Sequence, residues 1–280
     1  MRIDLHTHSS FSDGVLTPAE LLQRAARQNV NAIALTDHDE TGGLAEAAQV
    51  AGELGIRLIA GVEISVSWRE HTLHVLGLGV HPEHPQLKQG LIALRTSRLA
   101  RAMRMGERLQ EAGIPEIFRD ASALANGAGT IGRHHLARSL VARGCARNTA
   151  DAFKRFLVEG KPGFVAQQWA SLEDAIGWIR SAGGIATLAH PERYRMPRMA
   201  SRALLEDFKH CGGEGLEICR HDRGIAFEQL RTARQFGFTP AAGSDFHAPE
   251  QSGVELGVVA DIGTDNVAVW LQRTSAHVPN

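Results

Sequence analysis

Residues 3–13 read IDLHTHSSFSD, a short apolar strand that runs directly into His6 and His8 and then, after a serine-rich turn, into Asp13. Side chains two positions apart on an extended chain point to the same side, so the two imidazoles should face a common point at the end of the strand. A lone His-x-His pair is more often a chance occurrence or a surface metal scavenger. The interpretation as a metal site therefore depends on whether ligand-type residues also end the other strands.

Short apolar segments alternate with helical ones over the first 80 residues and again from about residue 165. Strands are predicted at 3–5, 32–36, 56–64, 72–80, 184–189, 215–218, 239–243 and 254–259. Helices are predicted at 40–54, 87–111, 136–142, 149–158, 171–182, 202–209, 225–236 and 266–273. A further helix has a complete start signal, with Thr17 as N-cap, Pro18 as the first helical residue and Glu20 closing a capping box. This alternation predicts an α/β fold, with a parallel sheet or barrel covered by helices.

The alternation stops between residues 81 and 164, where helical patterns succeed one another without a strand. We interpret 81–164 as an all-helical insertion into a barrel formed by 1–80 and 165–280. Between His81 and Val165, 14 Lys and Arg stand against 7 Asp and Glu, although the whole chain has a net charge of -1. The overall charge argues against nucleic-acid binding by the whole surface, and the basic segment suggests an anionic ligand between insertion and barrel.

The composition restricts the class of protein. With 280 residues and 43% hydrophobic content, the chain can bury one large core or a core with a small extra domain. It has no apolar run long enough to span a membrane and no signal-peptide pattern at its beginning. Three cysteines, without a Cys-x-x-Cys pair, argue against disulfides and zinc-thiolate sites and fit a reducing cytoplasm.

Ligand-type side chains recur where the predicted strands end, which is where α/β barrels carry their active sites. The candidate metal ligands are His6, His8, Asp13, His38, Glu63, His74, His190, Asp245 and His247. Only His74 does not lie at or just past the carboxyl end of a strand. Six imidazoles and three carboxylates suit two or three divalent ions, with Glu63 as a bridge. These nitrogen and oxygen donors favour Mn²⁺, Fe²⁺ or Zn²⁺ and leave net positive charge for a phosphate ester.

Two aspartates flank His38. We expect Asp37 to orient an imidazole through the ring nitrogen that does not face the metal. Asp39 has the residue type and position of an N-cap for the helix predicted from Glu40, and we prefer this structural role to a role as ligand.

The motifs around these residues resemble those of the PHP (polymerase and histidinol phosphatase) family of the amidohydrolase superfamily. The matching segments are LHTHS at 5–9, TDHD at 36–39, GVE at 61–63, LHVLG at 73–77, AHP at 189–191 and SDFH at 244–247. The resemblance implies a distorted seven-stranded (β/α) barrel with a trinuclear metal cluster, often of manganese. It assigns one ion to His6, His8, Glu63 and Asp245, a second to Asp13, His38 and His247, and a third to Glu63, His74 and His190.

The helical insertion resembles that of small bacterial PHP phosphoesterases, which act on nucleoside 3′,5′-bisphosphates or remove nucleotides 5′→3′ from short RNA. The resemblance implies a metal-dependent hydrolase that cuts the 3′ phosphoester of a 5′-phosphorylated nucleotide. We expect a hydroxide, activated by the metal ions and held by Asp13, His38, Glu63 and His247, to attack the 3′ phosphorus in line. Mononucleotides or short RNA or DNA oligonucleotides would be the substrates.

Four residues are candidates for substrate contacts. Arg133 and His134 come after a glycine-rich turn that begins at Gly129 and precedes a helix, a natural seat for phosphate. His134 is also the alternative metal ligand if His190 is not one. Arg220 comes after a predicted strand and is a second phosphate candidate, and Tyr194 could stack on a base, although simple packing is an equal explanation for its ring.

Two alternative functions stay open. A histidinol-phosphate phosphatase would use the same barrel but needs no basic insertion of this size. A non-catalytic, metal-stabilised PHP module is the alternative from another class, and the complete set of ligand-type residues argues against it. Nothing in the sequence requires a membrane or an obligate protein partner.

Overall fold

The computed structural model describes residues 1–125, 130–249 and 253–274. Seven strands form a mixed sheet in the order β1-β2-β3-β4-β6-β7-β8, and β5 adds two residues beside β3. The strands are β1 (Ile3–Asp4), β2 (Ala32–Leu35), β3 (Arg57–Trp68), β4 (His71–Leu78), β5 (Ala170–Ser171), β6 (Ile185–Leu188), β7 (Gly215–Glu217) and β8 (Thr239–Ala241).

The first and last strands of this order are joined by backbone hydrogen bonds just beyond their ends. The Leu5 N–H donates to the Ala242 carbonyl at 2.9 Å, and the Asp245 N–H donates to the His6 carbonyl at 2.9 Å. Because these bonds connect the two edges, the sheet curls into a distorted barrel. The predicted seven-stranded α/β barrel is confirmed.

One strand runs against the predicted parallel direction. β4 pairs antiparallel with both β3 and β6, and only two residues, Arg69 and Glu70, separate β3 from β4. Parallel neighbours need a crossover of roughly a dozen residues or more, so this connection can only form a hairpin. In its register His74 lies opposite Ser65. The first half of β4 therefore reaches the edge at which its neighbours end, which explains why His74 departs from the strand-end pattern.

The helices are α1 (Pro18–Arg27), α2 (Leu44–Leu54), α3 (Pro85–Glu111), α4 (Ile117–Leu124), α5 (Arg133–Ala142), α6 (Thr149–Ala152), α7 (Leu172–Ser181), α8 (Arg198–His210), α9 (Arg223–Phe236) and α10 (Thr264–Arg273). A π-helical turn covers Phe153–Leu157, and a 3₁₀ turn covers Pro191–Tyr194. The capping box predicted at the start of α1 is present.

Two element predictions are wrong. The helix expected from Glu40 begins only at Leu44, after a turn at Gly43. The strand predicted at 254–259 is absent, because the left-handed backbone of Gly253 and Gly257 breaks the extended run. The apolar residues of this segment still contribute to the core, since Leu256 is fully buried and packs with residues of α1 and α2.

The barrel interior is filled by small and branched apolar side chains from most of the strands. Leu5, Ile59 and Leu76 pack there with Trp270 of α10, which is fully buried. The Trp270 Nε1–H donates to the Pro240 carbonyl at 2.6 Å, so its one polar group is satisfied. Helix α10 lies at the end of the barrel where β3 begins, since Arg57 donates to the Leu271 carbonyl.

The helices between β4 and β5 build a core of their own, with Met105, Leu109 and Leu136 at its centre. The first turns of α3 instead pack on the outside of the barrel, where a Cβ at Gly90 would lie 2.5 Å from the Trp178 ring. Gly90 thus permits the close contact that joins the helical layer to the barrel. The division into 1–80 with 165–280 and 81–164 stays a prediction. Across the described residues, no helix is long and apolar enough to cross a membrane.

Candidate metal centre

The mouth of the barrel gathers all nine predicted ligand side chains. They come from the ends of β1, β2, β6 and β8, from the middle of β3 and from the start of β4. His190 and Asp245 have positive φ values of 26° and 53°. Such strained backbone is costly and concentrates at functional sites. The search for ligand-type residues at the ends of predicted strands therefore found one compact site. The assignment of each side chain to a metal stays a prediction.

The first group lies at the centre of the site. His6 Nε2 is 3.0 Å from His8 Nε2, which confirms that the His-x-His pair faces a common point. Both Nε2 atoms lie 3.3 Å from Glu63 Oε2 and 3.2 and 3.1 Å from Asp245 Oδ1. Two imidazoles and two carboxylates within such distances match the donor set of a divalent cation.

The second group lies towards solvent. His247 Nε2 is 3.2 Å from Asp13 Oδ1, and His38 Nε2 is 3.9 Å from Asp13 Oδ2. The His8 ring stacks on the His247 ring with centroids 4.2 Å apart, so His8 joins both groups. The arrangement differs from the expected one in two ways: His8 belongs to two groups, and His38 also lies with Glu63 and His74, in the place that was expected for His190.

The third group surrounds the other carboxylate oxygen of Glu63. His74 Nδ1 and His190 Nε2 lie 2.9 and 3.0 Å from Glu63 Oε1, and 3.3 Å from each other. His38 Nδ1 lies 2.9 Å from Glu63 Oε2. Glu63 therefore has imidazole nitrogens around both oxygens, as a bridging ligand requires.

Several of these atoms are buried without a hydrogen-bond partner. Asp13 Oδ1, His38 Nδ1 and Glu63 Oε2 are in this state, although His38 and Glu63 lie within contact distance. Leaving buried polar atoms unsatisfied costs roughly 1–3 kcal/mol each. Lone pairs that point at a common space, and not at one another, are what metal ligands require. The residues present therefore fit a cluster of divalent ions.

The pKa values indicate how strongly these groups interact. Burial alone would lower the pKa of His6, but the carboxylates of Glu217, Glu63 and Asp245 outweigh it and hold the pKa well above its ordinary value. Burial would likewise raise the pKa of Asp13, but His247 and His38 hold it well below. So many buried carboxylates need positive charge beside them. Bound divalent ions can supply this charge in place of protonated histidines.

Sequence reasoning missed Glu217, which ends β7 and is only 4% exposed. Its Oε1 lies 3.0 Å from His6 Nδ1, and its Oε2 accepts the His190 backbone N–H at 2.6 Å. Since an ionised carboxylate only accepts, Nδ1 of His6 carries a proton, and Nε2 is the nitrogen that faces the cluster and would bind a metal ion in place of its own proton. A search for every acidic residue at the end of a predicted strand would have found Glu217, which ends β7.

The two aspartates beside His38 have other partners than predicted. Within the part of the chain that the structure describes, Asp37 makes no hydrogen bond to an imidazole: it accepts the Ser9 N–H at 2.8 Å and the Ser12 hydroxyl at 2.6 Å. It acts on His8 only through Ser12, whose Oγ is 3.4 Å from His8 Nδ1. The N-cap interpretation of Asp39 is wrong, because this buried side chain accepts from the Ser65 N–H and from Arg98 Nε.

A cavity of about 340 Å³ opens beside the second group, between the barrel mouth and the helical layer. Its walls include Asp13 and His38 on one side and Arg98, Arg101 and Arg133 on the other. Burial and the neighbouring Arg133 and Arg98 lower the pKa of Arg101, so the guanidinium groups repel one another. Such a cavity favours an anion.

The predicted substrate residues divide between the cavity and its surroundings. Arg133 and His134 line the cavity, and His134 Nε2 lies 4.0 Å from Asp13 Oδ2. Arg220 lies outside it and donates to the Ser244 and Gly253 carbonyls. Tyr194 also lies outside it, with its hydroxyl 2.8 Å from the Ala189 carbonyl. Gly129 falls outside the described residues.

Known proteins resemble this chain over most of its length. The PHP domain family matches residues 4–182. A 3′,5′-nucleoside bisphosphate phosphatase of Chromobacterium violaceum is 45% identical over 270 residues, which cover 96% of this chain and 95% of that protein. A 5′-3′ exoribonuclease of Haemophilus influenzae is 43% identical and covers 96% of this chain and 98% of its own. A solved amidohydrolase from C. violaceum, with bound sulfate and no metal, has a TM-score of 0.92 at 44% identity, covering 98% of this chain and 97% of that one.

Proposed function

This chain belongs to the PHP domain family, and on that premise we propose that it is a metal-dependent phosphoesterase that removes the 3′-phosphate from nucleoside 3′,5′-bisphosphates. The observation that carries the proposal is the position of an arginine-lined cavity directly beside nine converging metal-type side chains. The arginine-lined cavity suits an anionic nucleotide, and the metal-type side chains suit hydrolysis of its phosphoester.

We assign the metal ligands by the three groups described above. They are His6, His8, Asp13, His38, Glu63, His74, His190, Asp245 and His247. When bound, divalent ions would neutralise charge on the phosphoryl oxygens and make a water molecule acidic enough to act as nucleophile near neutral pH. The purely nitrogen and oxygen donor set supports Mn²⁺, with Fe²⁺ or Zn²⁺ as alternatives.

The side chains of the cavity would orient the substrate. Arg133 has no carboxylate within ion-pair distance among the described residues, so its guanidinium is available for a bidentate contact with phosphate. Arg98 is held by Asp39 at 2.5 Å and by the Ser65 hydroxyl, which fixes the direction of its remaining N–H groups. We propose that these two groups hold the 5′-phosphate. His134, half exposed beside Asp13, would donate a hydrogen bond to the 3′-phosphoryl oxygens.

In this arrangement the chain fixes both ends of the nucleotide and leaves the 3′ phosphorus near Asp13 and His38. Hydrolysis forms a bond from a water oxygen to phosphorus and breaks the bond from phosphorus to the ribose 3′-oxygen. The ribose oxygen leaves on the side opposite the attack. Correct placement of both partners contributes a large part of such rate enhancements.

A second activity, removal of nucleotides 5′→3′ from short 5′-phosphorylated oligonucleotides, would use the same site with a longer leaving group. Its support is the exoribonuclease relative from H. influenzae, which is similar to this chain at full length. Histidinol phosphate is disfavoured, because it carries no second phosphate for Arg98 and Arg133. A non-catalytic module is disfavoured because full-length relatives are named as enzymes.

We further propose a cytoplasmic enzyme without an obligate partner. Its three cysteines, Cys145, Cys211 and Cys219, are all free, as suits a reducing compartment.

A substrate panel tests the proposal. The Mn²⁺-supplemented protein is assayed for phosphate release from adenosine 3′,5′-bisphosphate and histidinol phosphate, and for nucleotide release from a 5′-phosphorylated trinucleotide. We expect the bisphosphate, and to a lesser degree the trinucleotide, to be hydrolysed. Preferred hydrolysis of histidinol phosphate, or no hydrolysis of any of the three, would contradict the proposal.

A further inference from the structure

Three metal-binding side chains lie together outside the nine-residue set. Cys219 and His221 come after β7, and Glu192 lies in the 3₁₀ turn that comes after β6. The potential ligand atoms of the three residues all lie within 4.8 Å of one another. They border a small pocket, whose other walls include His190 and Asp245. Cys219 lines this pocket although only 3% of its surface is exposed.

The sulfur and the imidazole are as close as two ligands of one four-coordinate metal ion. Zinc binds sulfur at about 2.3 Å and imidazole nitrogen at about 2.0–2.1 Å, so in a tetrahedral site the sulfur and nitrogen lie about 3.6 Å apart. Cys219 Sγ is 3.6 Å from Nδ1 and 3.7 Å from Nε2 of His221. Because the two ring nitrogens are almost equally far from the sulfur, the exposed imidazole must turn about its Cβ–Cγ bond before one nitrogen and the sulfur can hold the same cation. This turn needs no movement of the backbone.

Two of the three residues are held in place by the same side chain. The Gln229 Nε2 donates to Glu192 Oε2 at 3.2 Å, and its Oε1 accepts the Cys219 backbone N–H at 2.6 Å. Two cations are adjacent to these residues in sequence, and both have other partners: Arg220 donates to the carbonyls of Ser244 and Gly253, and Arg193, which lines the same pocket, donates to Asp245. A carboxylate and a thiolate together then balance the charge of a divalent ion.

We propose that Glu192, Cys219 and His221 form a separate binding site for a thiophilic divalent cation such as Zn²⁺. Binding displaces the thiol proton of Cys219 to solvent and leaves a fourth coordination position open. The cation would tie the 3₁₀ turn to the end of β7. The donor set differs from that of the main cluster, which contains no sulfur, so soft metals favour this site and hard metals the other.

Cobalt titration distinguishes the two sites. The full chain, reduced and loaded with Mn²⁺, is titrated with Co²⁺ while the near-ultraviolet thiolate-to-cobalt charge-transfer band is recorded. The nine-residue set cannot produce this band because it has no thiolate. We expect the band to level off at the intensity of one thiolate-bound Co²⁺ per chain, whatever further Co²⁺ replaces Mn²⁺ in the nine-residue set, and Zn²⁺ to abolish it. Absence of the band in the native protein would overturn the proposal.

Variants assign the ligands. Cys219→Ser should lose the band, whereas Cys145→Ser and Cys211→Ser should keep it. Glu192→Gln and His221→Asn alter exposed or half-exposed side chains and should fold normally. Each should lower the affinity for Co²⁺ by at least roughly tenfold, because even the loss of a residue that only hydrogen-bonds to a metal ligand has an effect of this size. A band that survives in Cys219→Ser, or unchanged affinity in both other variants, would refute the assignment.

Discussion

Replacing Glu217 by glutamine should weaken metal binding without unfolding the protein. The carboxylate has two acceptor oxygens and serves two donors, the His6 ring at 3.0 Å and the His190 backbone N–H at 2.6 Å. Glutamine has nearly the same shape but only one acceptor oxygen. One of the two donors must then face an amide NH₂ group, and the orientation of His6 or His190 is lost.

The size of the effect can be worked out from these contacts. A hydrogen bond to a charged group contributes about 1.5–3 kcal/mol, and a buried donor left without a partner costs about 1–3 kcal/mol. Partners of metal-bound histidines typically contribute 10- to 100-fold in metal affinity or activity, which is about 1.4–2.7 kcal/mol. The range expected from the lost hydrogen bond and the range expected from the loss in metal affinity agree. We therefore expect Glu217→Gln to bind Mn²⁺ roughly 10- to 100-fold more weakly.

The assay is a competition titration of metal-free protein with Mn²⁺ and a chelator of known affinity, together with steady-state kinetics and circular dichroism. The matched control is Glu214→Gln in the segment that leads into the same strand. Glu214 pairs with Arg273 at 2.6 Å on the surface, where such pairs contribute about 0–1 kcal/mol. Wild-type metal affinity and turnover in a normally folded Glu217→Gln protein would refute this role of the carboxylate.

Three further perturbations concern the cavity, the packing beneath the cluster and a buried acid. Arg133→Gln should raise the KM for a nucleoside 3′,5′-bisphosphate roughly tenfold or more with a smaller change in kcat, since it removes a charged contact to phosphate. Gly243→Ala should lower the free energy of unfolding by about 1–3 kcal/mol and reduce the metal content of the protein, because the added Cβ would lie 2.3 Å from His6 Cβ. Burial raises the pKa of Asp4 to about 6. Since the folded protein then holds this proton more tightly than the unfolded chain, the contribution of Asp4 to metal-free stability should fall as pH rises from about 4 to 6, and Asp4→Asn should lose this dependence in urea titrations.

Each of these has a control or an opposing outcome. Arg143→Gln removes a surface arginine paired with Asp120 and should leave KM unchanged. Gly177→Ala, where an added Cβ meets nothing within 4 Å, should be neutral or slightly stabilising. Equal KM values for the Arg133 and Arg143 variants, equal stabilities for the two glycine variants, or an unchanged pH slope in Asp4→Asn would contradict the corresponding expectations.

Most of the site could be predicted because its residues obey a simple rule of position. In a barrel of this kind the carboxyl ends of parallel strands meet at one mouth, so ligand-type residues there must converge. His74 broke the rule because β4 is antiparallel. The two-residue link at Arg69 and Glu70 was the available signal, but the strand predicted at 56–64 ended before the observed end of β3 at Trp68 and left the link looking longer.

Other features depend on contacts that no local pattern records. Asp39 has the residue type of an N-cap, yet it lies in a left-handed conformation and binds Arg98 from a helix more than fifty residues away. The predicted last strand has the apolar residues of a strand, but its glycines turn the chain. The partners of Arg220 and Tyr194 are backbone groups, carbonyls for Arg220 and a carbonyl and the His74 N–H for Tyr194, which only the tertiary structure identifies.

Regiochemistry measured with and without metal is the decisive test of metal-dependent 3′-phosphate removal. The protein is stripped with a chelator, dialysed and given adenosine 3′,5′-bisphosphate before and after addition of Mn²⁺, and the products are separated by ion-exchange chromatography. We predict almost no hydrolysis in the stripped protein and, after Mn²⁺, equal amounts of phosphate and adenosine 5′-monophosphate. Hydrolysis that persists after stripping, or a product that has lost its 5′-phosphate, would contradict the proposed function.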